Sequence, residues 1–175
     1  MRFAAILLLL AGCASTQPPT LSAERIAAIV ASPDRGAADR TNDVRRKPVL
    51  GIAECGILTA LTLGHKFGVI AILQQSIPRH LRYMGALGVM DRLAAELPVG
   101  LGIAEMADEK RTFGRMVQVG RALKEQHGAD VVVMGCAGMA RYRKPLQDEL
   151  RIPVVEPTQA AVTMAIGRVR LGWEV

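Results

Sequence analysis

The sequence predicts an α/β protein, with parallel sheets flanked by helices. Three observations carry this reading. Short apolar runs alternate with helical segments along the chain, the pattern of repeated βαβ units. One run, Asp130-Val131-Val132-Val133-Met134, is unbroken and bounded by turn residues, as suits a parallel strand covered on both faces. Two stretches of the chain also echo one another, which points to two related, pseudo-symmetric halves. In such folds ligands bind at the carboxyl ends of the strands.

The composition narrows the function classes. A chain of 175 residues can bury a core and make one domain or two small ones. Hydrophobic residues are 50% and charged residues 22%, the balance of a folded chain. Aromatics are only 3%, so the core falls to Val, Ile, Leu, Ala and Met. The net charge of +6 suits a small anionic substrate. Nucleic acid is not expected, because the basic residues are scattered and few aromatics are present to stack on bases. Cys13, Cys55 and Cys136 lie far apart with no CxxC pair, which argues against a disulfide framework or a zinc site.

Taken in order, residues 1–22 read as a signal-like segment and tether. Arg2 precedes a short apolar run, Phe3 to Leu10, too short to span a bilayer as a helix. Leu10-Ala11-Gly12-Cys13 looks like a bacterial lipobox, which makes Cys13 a lipidation site and the chain a membrane-anchored lipoprotein. An apolar first strand or a mis-assigned start are the other readings. Ile26 to Ala31 reads as a strand, and Ser32-Pro33-Asp34-Arg35-Gly36 as a turn. Ala37 to Arg46 is polar and helical. Strands follow at Pro48 to Ala53 and Phe67 to Leu73, with an apolar helix from Glu54 to Leu63 between them. Ser76 and Pro78 open a helix reaching Leu93. Val99 to Ala104 is read as a strand. Asp108 to Gln126 is a long amphipathic helix stopped by Gly128. The central strand then runs into Cys136 and a helix from Ala140 to Leu150. A strand at Ile152 to Val155 and a helix from Pro157 to Gly167 close the chain.

The echo lies between Ala28–Ser32 and Val132–Cys136, each followed by a strand containing Pro-Val. It sets Ser32 and Cys136 on facing walls of one cleft. Cys136 ends a strand between Gly135 and Gly138, and the N–H groups of the following helix turn back to it. A helix start favours anions and thiolates. A poised thiolate and a packed, inert cysteine both fit. Ser32 binds a carboxylate or serves the turn. Ser76 and Thr158 begin helices and either cap them or contact substrate, as Ala137 and Gly138 do through their backbone. Cys55 reads as a packed helix cysteine. His65, His80 and His127 show no metal spacing and read as turn, surface and helix-end residues, so no metal is expected. Arg141, Arg143 and Lys144 read as a solvated face, with Arg141 near enough to Cys136 to attract an acidic substrate.

Four segments together resemble the aspartate/glutamate/hydantoin racemase superfamily. They are Val133-Met134-Gly135-Cys136-Ala137-Gly138-Met139, Pro48 to Glu54, Leu61 to Val69, and Pro153-Val154-Val155-Glu156-Pro157. The resemblance spans roughly Ile26 to Arg170. It implies two α/β halves, no cofactor, a cytoplasmic location as the alternative to a lipid anchor, and a cysteine from each half at a shared cleft. One thiolate takes the proton from a carbon next to a carbonyl, and the other thiol returns a proton to the opposite face. The chain departs from that pattern twice. Ser32 stands where the family has its first cysteine, and the signal-like segment replaces the first strand and helix, which leaves the first half incomplete.

The expected organisation is therefore a segment at 1–22, a partial first half at 23–65, a second half at 66–157, and a helix at 158–175 packing back on the first. The expected function is a cofactor-independent racemase for an amino acid or hydantoin, with Cys136 and Ser32 at the site. The alternatives are a single-cysteine decarboxylase resembling the arylmalonate decarboxylases, or an inactive truncated module that binds a small anion. A homo-oligomer would cover an exposed sheet edge.

Overall fold

The computed structural model describes residues 49–102 and 105–173. The readings that fall on Cys13, the tether, the strand at Ile26 to Ala31, Ser32 and the helix at Ala37 to Arg46 lie outside the described residues.

The described chain runs α1 (Ile52–Leu63), β1 (Phe67–Ala71), α2 (Ile77–Ala86), β2 (Leu93–Pro98), α3 (Glu109–Glu125), β3 (Val131–Met134), α4 (Arg143–Leu150), β4 (Val154–Val155) and α5 (Pro157–Arg170). The four strands form one parallel sheet in the order β2-β1-β3-β4. This confirms the α/β class and the parallel sheet.

Strand alternation explains the layers. Phe67, Val69, Val131, Val133 and Val155 point to one face, where they meet α1, α2 and α5 through Ile57, Met84 and Ala161. Ile70, Val132, Met134 and Val154 point to the other, against Met116 and Leu123 of α3 and Leu146 and Leu150 of α4. Both faces are covered, so β1 and β3 are apolar throughout. Small residues let the layers close. A Cβ on Gly56 would come 3.0 Å from Pro157, and one on Gly68 would come 3.0 Å from Leu123.

Two strand predictions are corrected. Val49 to Gly51 are not strand, and the helix begins at Ile52 rather than Glu54. Gly51 is extended, and its carbonyl accepts the first helical bond from Cys55 N at 3.0 Å. A short apolar run buries as well in a helix start as in a strand, and periodicity cannot separate the two. Similarly, β2 is Leu93–Pro98, not Val99 to Ala104. Val99 and Leu101 are buried as expected, but they run on past the strand end. The predicted helix to Leu93 stops at Ala86, because Gly88 takes φ +71 and turns the chain toward β2. Ahead of α4 the chain makes a 3-10 segment, Ala137–Tyr142. The long helix and its stop stand as expected: Asp108 accepts from Arg111 N as the N-cap of α3, and Gly128 takes φ +70.

Candidate active site

The chain leaves β1 toward β2 on one side, while β3 pairs with β1 on the other. That divergence makes a crevice at the carboxyl ends of β1 and β3. A cleft of about 480 Å³ opens there. Its walls are the start of α1 (Gly51, Ile52), the inner side of α2 (Arg79, His80, Tyr83) and the loop after β3 (Gly135, Cys136, Ala137), with Pro157 of α5 beside them.

Gly135 seats the thiol. Its N–H donates to Ile70 O at 2.8 Å and extends the β1–β3 ladder by one residue. A Cβ there would lie 2.6 Å from Ile70 O, so only glycine fits. Cys136 follows, extended and half-buried, at the N-cap position of the 3-10 segment. The first backbone bond of that segment is Met139 N to Cys136 O, 3.1 Å. The N–H groups of Ala137 and Gly138 stand ahead of it, where a helix start leaves donors for a ligand. Gly138 lies beside the thiol: its Cβ position is 3.6 Å from Cys136 Sγ.

Of the other predicted residues, Ser76 and Thr158 do not line the cleft. The Ser76 hydroxyl donates to Leu73 O at 2.7 Å and caps no helix. The cap of α5 is Glu156, which accepts from Thr158 N at 2.9 Å and Gln159 N at 2.8 Å. The Thr158 hydroxyl is buried without a partner among the described residues. Cys55 is packed in the core on α1, as expected, and burial, with the Glu54 charge next to it, pushes its thiol up. Arg141 is exposed and pairs with Glu109. Among the described residues no cluster of His, Cys, Asp or Glu is placed to hold a metal ion.

One pair was not foreseen. His80, read from sequence as a surface residue, lines the cleft and meets Glu96 of β2 with Nδ1 and Oε1 2.5 Å apart. Burial pushes the Glu96 carboxyl up, and the hydrogen bond and charge of His80 pull it partly back. The signal was present. A glutamate inside the apolar stretch Leu93–Pro98 needs a buried partner. With the strand expected at Val99 to Ala104, Glu96 falls in a connecting segment, where it needs no partner.

A doubly wound parallel sheet with a thiol at a strand end over a switch-point cleft places the chain in the doubly wound α/β class. Comparison with known proteins then narrows it. A family model described as Asp/Glu/Hydantoin racemase matches residues 11–165. Hydantoin racemase of Paenarthrobacter aurescens is 31% identical over 138 residues, which are 78% of this chain and 58% of that protein. The crystal structure of allantoin racemase from Pseudomonas fluorescens superposes with a TM-score of 0.69 at 30% identity, covering 71% of this chain and 54% of that one. Allantoin racemase from Klebsiella pneumoniae gives 0.64 at 30% identity, covering 72% of this chain and 52% of that one. The chain belongs to the Asp/Glu/hydantoin racemase family. It spans about half the length of the relatives it matches.

Proposed function

We propose that this chain is a cofactor-independent racemase of small hydantoin-like or amino-acid-derived substrates, with Cys136 moving a proton at a carbon next to a carbonyl. The observation that supports this most is the seating of Cys136 in the cleft, at the N-cap position of the 3-10 segment that Ala137 and Gly138 begin. A carbon acid of this kind gives up its proton only if the enolate is stabilised as it forms. Fixed N–H donors do that without reorganising. A thiol and its thiolate suit both halves of the transfer at neutral pH. In the family pattern the opposite face falls to Ser32, a hydroxyl that is a weak base without an activating group.

A second reading has one observation in its favour. Cys136 is the only cysteine among the described residues that lines the cleft. One thiol is enough to protonate an enolate left by loss of carbon dioxide, as in the decarboxylase alternative.

The test is the decay of optical rotation of single enantiomers of isopropylhydantoin and allantoin. The wild-type chain should racemise at least one of them, and Cys136→Ala should be slower by about 100-fold or more. A folded wild-type chain that leaves both unchanged but releases carbon dioxide from an arylmalonate would replace the first reading with the second. Release from none of these substrates would leave a binding module.

A further inference from the structure

We propose that His80, oriented by Glu96, is the second proton-transfer group of this cleft and acts on the substrate face opposite Cys136. The proposal rests on the racemase reading above and supplies what that reading lacks, a base for the second face.

The geometry carries it. His80 and Cys136 line one cleft from different elements, α2 and the end of β3. The Nδ1 atom of His80 is committed to Glu96 Oε1 at 2.5 Å, so Nε2 is the ring nitrogen left for a ligand. Glu96 projects from β2 beside Val69 of β1, itself a cleft residue. The Glu96 side chain has 0% exposure while that of His80 keeps 27%, so the ring is the part of the pair that meets the cleft. The second carboxylate oxygen, Oε2, has no hydrogen-bond partner among the described residues. A carboxyl buried with one partner is expensive in a patch where an apolar side chain would pack. Its effect is to hold one imidazole in one tautomer and orientation, as a carboxylate does behind a general-base histidine.

The proton account closes. Nε2 takes the proton from the stereocentre, and the electron pair of the broken C–H bond enters the adjacent carbonyl as an enolate. The Cys136 thiol gives its proton to the other face and is left as thiolate. From the other enantiomer the same steps run in reverse, with thiolate as base and imidazolium as acid. The two starting states differ only in where the protons sit, and exchange with water interconverts them. Ser32 then need not act as a base.

The experiment follows each enantiomer of isopropylhydantoin or allantoin, whichever the wild-type chain racemises, separately in deuterated water, with the full chain and three variants. The wild-type chain should exchange and invert both. His80→Gln should lose inversion by about 100-fold or more yet still exchange one enantiomer without inverting it. Cys136→Ala should do the same for the other enantiomer. Glu96→Gln should slow the same half-reaction as His80→Gln and leave the other alone, whereas a general folding defect would slow both. Wild-type inversion in His80→Gln, or equal slowing of both enantiomers in folded His80→Gln and Glu96→Gln, would overturn the assignment and leave the racemase reading standing. A wild-type chain that neither inverts nor exchanges isopropylhydantoin or allantoin would overturn both.

Discussion

The N–H of Gly135 meets the carbonyl of Ile70 at 2.8 Å, and nothing larger than hydrogen fits on the Gly135 Cα without meeting that carbonyl. This contact sets where β3 ends and so where Cys136 stands.

Gly135→Ala should therefore destabilise the fold by about 1–3 kcal/mol through a backbone clash that no rotamer relieves. Gly114→Ala is the control. It lies on the exposed side of α3, and its Cβ position has no neighbour within 4 Å among the described residues. Alanine also gains about 1 kcal/mol over glycine inside a helix. Urea unfolding should therefore leave Gly114→Ala as stable as the wild type or more stable by about 1 kcal/mol. The two variants should not cost the same.

Glu156→Ala should remove about 1–2 kcal/mol by stripping the acceptor from two N–H groups at the start of α5. Glu156→Gln keeps an acceptor oxygen and should lose less. Equal loss in the two variants, measured by thermal unfolding, would mean that one acceptor oxygen is not enough and that the cap depends on the full carboxylate.

Cys55 predicts a loss of stability in alkali. Burial raises its thiol first, and the Glu54 charge raises it further, so the unfolded chain ionises before the folded one. The folded state then holds more protons, and stability falls as pH rises. The contribution is intact below the ordinary thiol value of about 8.5 and is lost as pH climbs to the raised folded value. The stability difference between the wild type and Cys55→Ala should shrink over that window, read by denaturant midpoints at successive pH values. A difference that stays constant would mean that Cys55 remains a neutral thiol in both states.

The parts of the fold that sequence made legible are those fixed by local pattern. Val131–Met134, four apolar residues between Asp130 and Gly135, is too short for a buried helix and reads as a covered strand, and Asp108 and Gly128 marked both ends of α3. The place of Cys136 in the cleft was legible because the apolar run ahead of it ends at Gly135. The stretch Leu93–Pro98 was not legible. Its two alanines and a glutamate are poor strand formers, and only pairing with β1 makes them a strand. That misplacement hid Glu96, and with it the reason why His80 faces inward. Tertiary pairing decided both, and neither is written in local spacing.

The central claim is that Cys136 moves a proton at the stereocentre. Deuterium appearing there, followed by proton NMR in deuterated water with isopropylhydantoin or allantoin, whichever the chain racemises, measures that directly. The account predicts incorporation by the wild-type chain and, for the enantiomer that Cys136 deprotonates, its loss in folded Cys136→Ala. Incorporation at the wild-type rate from both enantiomers in Cys136→Ala would contradict it.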